Sequence, residues 1–461
     1  MLPAPASAPA GYAGFGSFMG DNVEEMVSTS DDKYIPPPLP FEDDVGEEPP
    51  PQFGEAARSQ FLVNFDKWTF VNHGAFGASA RAPFDAAHRW RRHCEEQPLL
   101  HIDRLLFPHI VHSIRVLAAH VRARPVDLVL GQNATHLLNA VVFSTLLSAA
   151  DAVFSLSIGY GSVKKMVKLA VERSGATHVE ADVRFPATSA DVVSLVRRTL
   201  PASTKLAIFD AITSNTAVAL PIPELVSTVR AKCPQCRILV DAAHSLGTSA
   251  HLDVPSLNVD FWVSNCHKHL CSPRGCAVLW TSPGARVGLR PVVVSHGTGS
   301  GFTSDFIWDG CRDYAPSLVI PQTLRWWAAV GLDRAVTYMR EMLVTGVAAL
   351  LTRWQTHTLV PMSSSLSAPT MALVRLPVGS SPPEQMLDVE TLLARRPPGD
   401  DGTASSADAK AMQDALFQRA VEVPVKCIQG RLYVRVSAHI YNTRDDYVRL
   451  GDAVAGIFAW P

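Results

Sequence analysis

Ile238-Leu239-Val240-Asp241-Ala242-Ala243-His244, followed by Phe261-Trp262-Val263-Ser264-Asn265-Cys266-His267-Lys268, is the stretch that decides how this chain reads. The first half is a short apolar strand that ends on an acid. The second is another apolar strand that runs out into a lysine. Short continuous apolar runs of this kind suit strands buried on both faces. In open α/β sheets, ligands bind beyond the carboxyl ends of such strands, which is where Asp241 and Lys268 stand. An acid beside a lysine there is what pyridoxal 5′-phosphate needs. The amine condenses with the cofactor aldehyde as a Schiff base, and the carboxylate holds the pyridine nitrogen protonated.

Working outward, the same alternation continues. Apolar runs at 128–130, 152–155, 206–209 and 277–280 alternate with helix-like stretches at 190–199 and 222–233. Strand and helix in turn predict a mostly parallel α/β sheet. Amphipathic spacing predicts helices at 84–97 and 110–122. After Pro321 the pattern changes: 324–351 reads as one long helix, with a bend expected at Gly346. Strands at 371–376 and 432–436 then predict a smaller C-terminal lobe, with 382–408 as a loop between them. The expected division is a tail at 1–55, a large domain at 56–325, and a connecting helix with a small domain at 326–461.

Composition narrows the classes. A chain of 461 residues with 47% hydrophobic residues can bury a large core. A formal net charge of -2 gives no reason to expect nucleic acid or an anionic membrane as partner, and no apolar run reaches spanning length. Eight cysteines scattered through the chain suit reduced thiols in the cytoplasm better than a disulfide framework. The first 55 residues, rich in Ala, Pro and Gly with an acidic patch at Glu42-Asp43-Asp44, are expected to be disordered. An unusual targeting peptide is the alternative, since the basic region of a signal peptide is absent.

The run Asn265-Cys266-His267-Lys268-His269-Leu270-Cys271-Ser272-Pro273-Arg274-Gly275 resembles the lysine segment of the class V aminotransferase family. It is most similar to the branch of isopenicillin N epimerases and cysteine desulfhydrases. Asn72-His73-Gly74-Ala75-Phe76-Gly77, Asn133-Ala134-Thr135, Thr213-Ser214-Asn215-Thr216-Ala217 and Arg435-Val436-Ser437 with Tyr441-Asn442-Thr443 resemble further segments of that family, in its order, across residues 55–461. The resemblance implies a fold-type-I pyridoxal phosphate enzyme: a large, mostly parallel seven-stranded sheet domain, a small α+β domain, and a homodimer with the site at the subunit interface.

It also implies roles. Lys268 is the catalytic lysine, Asp241 the partner of the ring nitrogen, and His244 the neighbour of the phenolic oxygen. Asn133, Ala134 and Thr135 form a phosphate-binding turn at a helix start, a role the free N–H groups there suit. Ser264 and His267 complete the phosphate cup, Ser214 stands at the central strand exit, and Cys311 falls where relatives reach the partner's phosphate with a threonine. Arg435 is expected to hold the substrate carboxylate, which its planar guanidinium suits, with Asn72 and His73 near the substrate. Each has a plainer alternative: a helix cap for Asp241 and Asn133, a packed histidine for His244, a surface salt bridge for Arg435.

Departures from the family pattern bear on substrate choice. Ile158 stands where many relatives stack a histidine on the ring, leaving Tyr160 or an aliphatic chain to cover it; Ala211 replaces another histidine. Cys266, His267, His269 and Cys271 are dense in metal ligands but lack paired C-x-x-C spacing, so no metal is expected. The glycines at 297–301 lack the spacing of a dinucleotide loop. Cys427 reads as a structural thiol between two strands, against a desulfurase. The expected activity is a C–S lyase on an amino acid, followed by an epimerase and then an aminotransferase. A catalytically silent binding or scaffold relative is the rival from another class.

Overall fold

The computed structural model describes residues 22–43, 45, 52–377 and 404–457. Its centre is a seven-stranded sheet built from β1 (Leu128–Gly131), β2 (Ala152–Leu156), β3 (Thr177–Ala181), β4 (Thr204–Asp210), β5 (Arg237–Asp241), β6 (Phe261–Asn265) and β7 (Ala277–Thr281). The spatial order is β1-β7-β6-β5-β4-β2-β3, all parallel except β7, which runs against both neighbours. Strands β1, β2, β6 and β7 are buried at every position, which is why their sequences read as unbroken apolar runs. The edge strand β3, Thr-His-Val-Glu-Ala, is largely exposed and carried no such signal.

Helices cover both faces, as parallel sheets require. Among them are α1 (Val23–Ser28), α2 (Arg81–Glu96), α3 (Leu106–His120), α4 (Ala134–Ser144), α5 (Gly161–Ser174), α6 (Ser189–Thr199) and α7 (Ile222–Lys232). The helix expected over 324–351 is two, α8 (Ile320–Val330) and α9 (Leu332–Trp354). The break falls at Gly331, whose φ of +81° ends α8 in the left-handed region. Gly346 stays inside α9, because the Tyr447 ring packs where its Cβ would be, 2.5 Å away.

Beyond α9 a three-stranded antiparallel sheet forms the small lobe: β8 (Met371–Arg375), β9 (Val425–Ile428) and β10 (Arg431–Ser437), with β10 central. Gln429 and Gly430 make the expected tight turn between β9 and β10, both with positive φ. Helices α10 (Ser406–Gln418) and α11 (Arg444–Ile457) pack on this sheet with α9 around a separate apolar core. A capping box of Ser405 and Asp408 starts α10. Most of the loop expected at 382–408 lies outside the described residues.

Residues 22–43 correct the expectation of a disordered tail. Val23 and Val27 of α1 are buried in the main core. The buried Arg115 donates to the carbonyls of Met26, Val27 and Thr29 and pairs with Asp31. Glu24 accepts from the backbone and hydroxyl of Ser304, and Asp43 pairs with Arg325. Composition hid this because the anchors are scattered: Val23 and Val27, then Met26, Leu39 and Phe41 packed on the same core, and polar groups whose partners lie far along the chain. The rest of the expected tail, residues 1–21, 44 and 46–51, lies outside the described residues.

Candidate active site

Neighbouring parallel strands bring the site together by register. Asp210 at the end of β4 pairs with Asp241 at the end of β5, and Asp241 pairs with Val263 of β6. Beyond Asn265 the chain turns into the loop that carries Lys268. Between these ends and the start of α4 lies a cavity of about 170 Å³. Lys268, Asp241 and His244 line it, as do Asn133, Ala134 and Thr135, and on the remaining sides Tyr160, Ser214 and His267. Ala75 and Phe76 of the Asn72–Gly77 motif also line it, as do Asp210 and Asn265, which stand past apolar strand ends as the sequence suggested but carry no individual role there.

The Lys268 amine lies 3.0 Å from His244 Nε2, which is also 3.0 Å from the carbonyl of Gly74. Burial brings the amine down to about 8, with Asp241 opposing and Arg435 reinforcing the shift. Burial also raises the Asp241 carboxyl, against a backbone N–H donated by Ala243 at 3.0 Å and the charge of Lys268. Asp210 is raised further, by burial and then by its neighbour Asp241. Burial keeps the His244 imidazole neutral.

At the start of α4 the Asn133 side chain accepts from His136 N at 2.9 Å, and Asn265 Oδ1 accepts from Ala134 N at 2.9 Å. The helix N-terminus is thus held rigidly at the cavity wall, and His267 presents a buried Nδ1 without a partner beside it. Ser264, expected in the cup, is not there. Side chains alternate along β6, so its hydroxyl points the other way and donates to Ala242 O at 2.6 Å, while Asn265 takes the cavity side.

His73 and Asn72 also prove structural. His73 is fully buried behind the lysine loop, its Nδ1 2.8 Å from Tyr441 OH and its Nε2 2.9 Å from Lys268 O. Burial lowers His73 to about 4 and raises the Tyr441 phenol, so a neutral imidazole accepts from the phenol and donates to Lys268 O. Asn72 donates to Glu422 at 3.1 Å, away from the cavity. The motif's glycines explain its presence. Gly77 has φ +66°, and a Cβ there would fall on the His267 carbonyl; Gly74 lies against Met371 and Ser437. Trp327 and Arg274 pin the same loop through Leu270 O at 2.8 Å and Gly77 O at 3.0 Å.

Cys271 Sγ lies 3.3 Å from His439 Nε2 and 3.8 Å from His73 Nε2, a buried trio with the donor types of a metal site. The two imidazoles are stacked, however, 3.9 Å apart and 12° from parallel. No ion can lie in both ring planes at once, and His73 Nε2 already serves the Lys268 carbonyl. The trio as folded is a hydrogen-bonded support for the loop.

Arg435 does not line the cavity but stands at its edge, donating to the carbonyl of Ser214. It is 3% exposed, its Nε has no partner, and it forms no ion pair among the described residues. Burial lowers it to about 10. Cys311 is exposed and outside the cavity. Its neighbour Asp309 instead reaches Gln132, at 2.9 Å, one residue before the α4 turn. Ile158 is partly buried against the main core, while Tyr160 is the aromatic side chain on the cavity wall beyond β2.

Known proteins resemble this chain in sequence and in fold. The family model "Aminotransferase class-V" matches residues 109–374. The chain is 30% identical over 435 residues to the "Probable L-cysteine desulfhydrase, chloroplastic" of Arabidopsis thaliana, covering 87% of this chain and 85% of that protein. It is 25% identical to the isopenicillin N epimerase of Streptomyces clavuligerus, over 87% of this chain and 97% of the epimerase. Among solved structures, the cystine C-S lyase C-DES in complex with its reaction product cysteine persulfide aligns with a TM-score of 0.70. That alignment spans 86% of this chain and 98% of the lyase at 17% identity, a likeness of fold. The chain belongs to the class V aminotransferase family.

Proposed function

We propose that this protein is a pyridoxal 5′-phosphate-dependent C–S lyase that converts L-cysteine, or a cysteine S-conjugate, and water into a thiol or sulfide, pyruvate and ammonium. The observation that carries the reading is a set of buried ionisable groups around one amine that no ion pair among the described residues balances. Asp241 is 4% exposed with no side-chain cation hydrogen-bonded to it, and Arg435 is 3% exposed without a carboxylate. Isolated buried charges are costly. A pyridinium suits the first and an amino-acid carboxylate the second.

The residues present fit pyridoxal phosphate. Lys268 would bond its aldehyde, Asp241 its ring nitrogen, and the α4 start with His267 its phosphate. When bound, the cofactor supplies an electron sink for the bond broken at the substrate α-carbon. The rest falls to this chain. Arg435 grips the carboxylate in bidentate fashion and fixes the orientation of the α-carbon. Lys268, with its basicity lowered by burial, removes the α-proton and holds it beside His244. Asp241 stays ionised as long as a cation faces it.

The absence of a thiol from the cavity wall supports a lyase over a desulfurase. None of the eight cysteines lines the cavity. Cys427 is paired on β9 with Leu432, and its thiol donates to Ala404 O at 3.0 Å. The names of the relatives support the same choice. Exposed apolar side chains at Phe76, Leu146, Val287, Val292 and Val294 support a homodimer, to be checked by light scattering. Eight unbridged cysteines support a reducing, cytoplasmic setting. No helix among the described residues is long and apolar enough to cross a membrane.

The test is sulfide and pyruvate release from L-cysteine by the yellow holoenzyme and by Lys268→Ala. Equal release by both would sink the reading. A silent binding relative would give neither product from the parent protein.

A further inference from the structure

The small-lobe sheet carries a second cation that the reaction above does not use. Lys426 on β9 faces Tyr433 on β10, and Arg435 lies two residues beyond Tyr433 on that strand. Side chains alternate, so Lys426 and Arg435 leave the same face as diagonal neighbours, with Cα atoms about 7–8 Å apart. The other face of β10, through Leu432, Val434 and Val436, fills the small-lobe core. The cationic face therefore turns to the large lobe, where Arg435 holds Ser214 O and Gln429 holds both backbone groups of Phe185, at 2.6 and 2.9 Å.

Arg375, opposite Tyr433 on β8, adds a third cation to that face. Neither Lys426 nor Arg375 nor Arg435 forms an ion pair among the described residues, although Lys426 and Arg375 are half-buried and Arg435 buried. Burial and then Arg435 push the Lys426 amine below its ordinary range. The charge of Arg435 likewise acts on Lys268, so Arg435 is within electrostatic reach of both the cavity amine and Lys426. Like charges gathered on one partly desolvated face, with no acid between them, oppose folding. One carboxylate at Arg435 would leave Lys426 uncompensated.

We propose that Lys426 is a specificity residue, and that the substrates are amino acids with a second anionic group: cysteine S-conjugates whose sulfur substituent ends in a carboxylate. Arg435 takes the α-carboxylate and Lys426 the distal one. The inference rests on the lyase reading and adds a substrate class to it. In the reaction the α-proton passes to Lys268, and the Cβ–S bond breaks with its electron pair on sulfur. The thiolate then takes up a proton. The three-carbon fragment adds water and loses ammonium to give pyruvate, with no net oxidation.

The test compares S-(2-carboxyethyl)-L-cysteine with its uncharged amide, S-(2-carbamoylethyl)-L-cysteine. Both kcat/KM for pyruvate release and Kd, from the change in holoenzyme absorbance, are measured in the parent protein, Lys426→Gln and Lys426→Arg. A charge-assisted contact in a partly dry site favours the carboxylate by about 10- to 100-fold in the parent protein. Lys426→Gln brings that preference near unity, and Lys426→Arg keeps most of it. A parent ratio near unity, or the same ratio in Lys426→Gln, overturns the assignment. If L-cysteine still yields pyruvate in that case, the lyase reading stands without it. If no compound yields pyruvate, the lyase reading fails, and the ratio of Kd values still decides what Lys426 binds.

Discussion

Gly77→Ala isolates the contact between the N-terminal motif and the lysine loop. Gly77 has φ +66°, a conformation that costs an alanine about 1–2 kcal/mol. Its new Cβ would lie 2.8 Å from the His267 carbonyl carbon and 2.9 Å from Lys268 Cα, where ordinary contact begins at 3.4 Å. Both are backbone atoms, so no side chain can swing away. The loop has to retreat by roughly 1 Å, and a displacement of that size at reacting groups costs about 100-fold in rate. Gly175→Ala is the control. Gly175 has φ +73° at the end of α5, but its nearest neighbour, Ala149, stands at 3.4 Å, so only the backbone cost applies. Both variants should lose stability in thermal denaturation, Gly77→Ala more because it adds the clash to the backbone cost, while Gly77→Ala alone loses about 100-fold in kcat for pyruvate release. Equal kcat in the two would refute the idea that Gly77 fixes the lysine, and leave it a turn residue.

Capture of pyridoxal phosphate by cofactor-free protein should quicken as pH rises from about 7 to 9, because the neutral Lys268 amine attacks and burial sets its titration at about 8. A rate flat across that range, followed by absorbance, would contradict a buried Lys268. Arg435→Met removes a buried cation that forms no ion pair among the described residues, so substrate-free protein should melt little lower than the parent, whereas KM for amino acids should rise about 100-fold. A large loss of stability with KM unchanged would make Arg435 structural. Deleting residues 22–43 should lower the melting temperature, since Val23, Val27 and the partners of Arg115 go with them; an unchanged melt would mean the segment does not pack in solution.

Much of this fold was legible because its strands are buried on both faces. Such strands advertise themselves as apolar runs, and all of the large sheet was readable that way except β3, whose edge position lets Thr177 and Glu180 face solvent. Lys268, Asp241 and the Asn133 turn were legible for a related reason: each sits at the end of a readable element, where the chain direction alone brings it to the site. What failed was reach. Ser264 and Asn265 are adjacent in sequence and face opposite ways, and only the pleat of β6 decides which one meets the cavity. His73 lies in a motif near the substrate in chain order, yet the close approach of Gly74 and Gly77, which follow it, sets its ring behind the loop rather than in the cavity. The N-terminal segment was misread because its anchors are long-range partners such as Arg115 and Ser304, invisible to a local window.

One physical idea joins the site's parts. Buried groups near Lys268 are left electrically unfinished: Asp241 and Asp210 crowd at adjacent strand ends, and Arg435 and Lys426 crowd on the sheet opposite. The two clusters have opposite sign and do not neutralise each other, since Arg435 spends its hydrogen bond on Ser214 O and Asp241 accepts from Ala243 N. A fold selected for stability alone would let them meet as ion pairs or replace them with packed apolar side chains. Holding them apart keeps one wall for a cation and the other for anions, and Lys268 lies between with its amine poised near neutrality. A zwitterionic substrate entering such a field is oriented before any bond breaks.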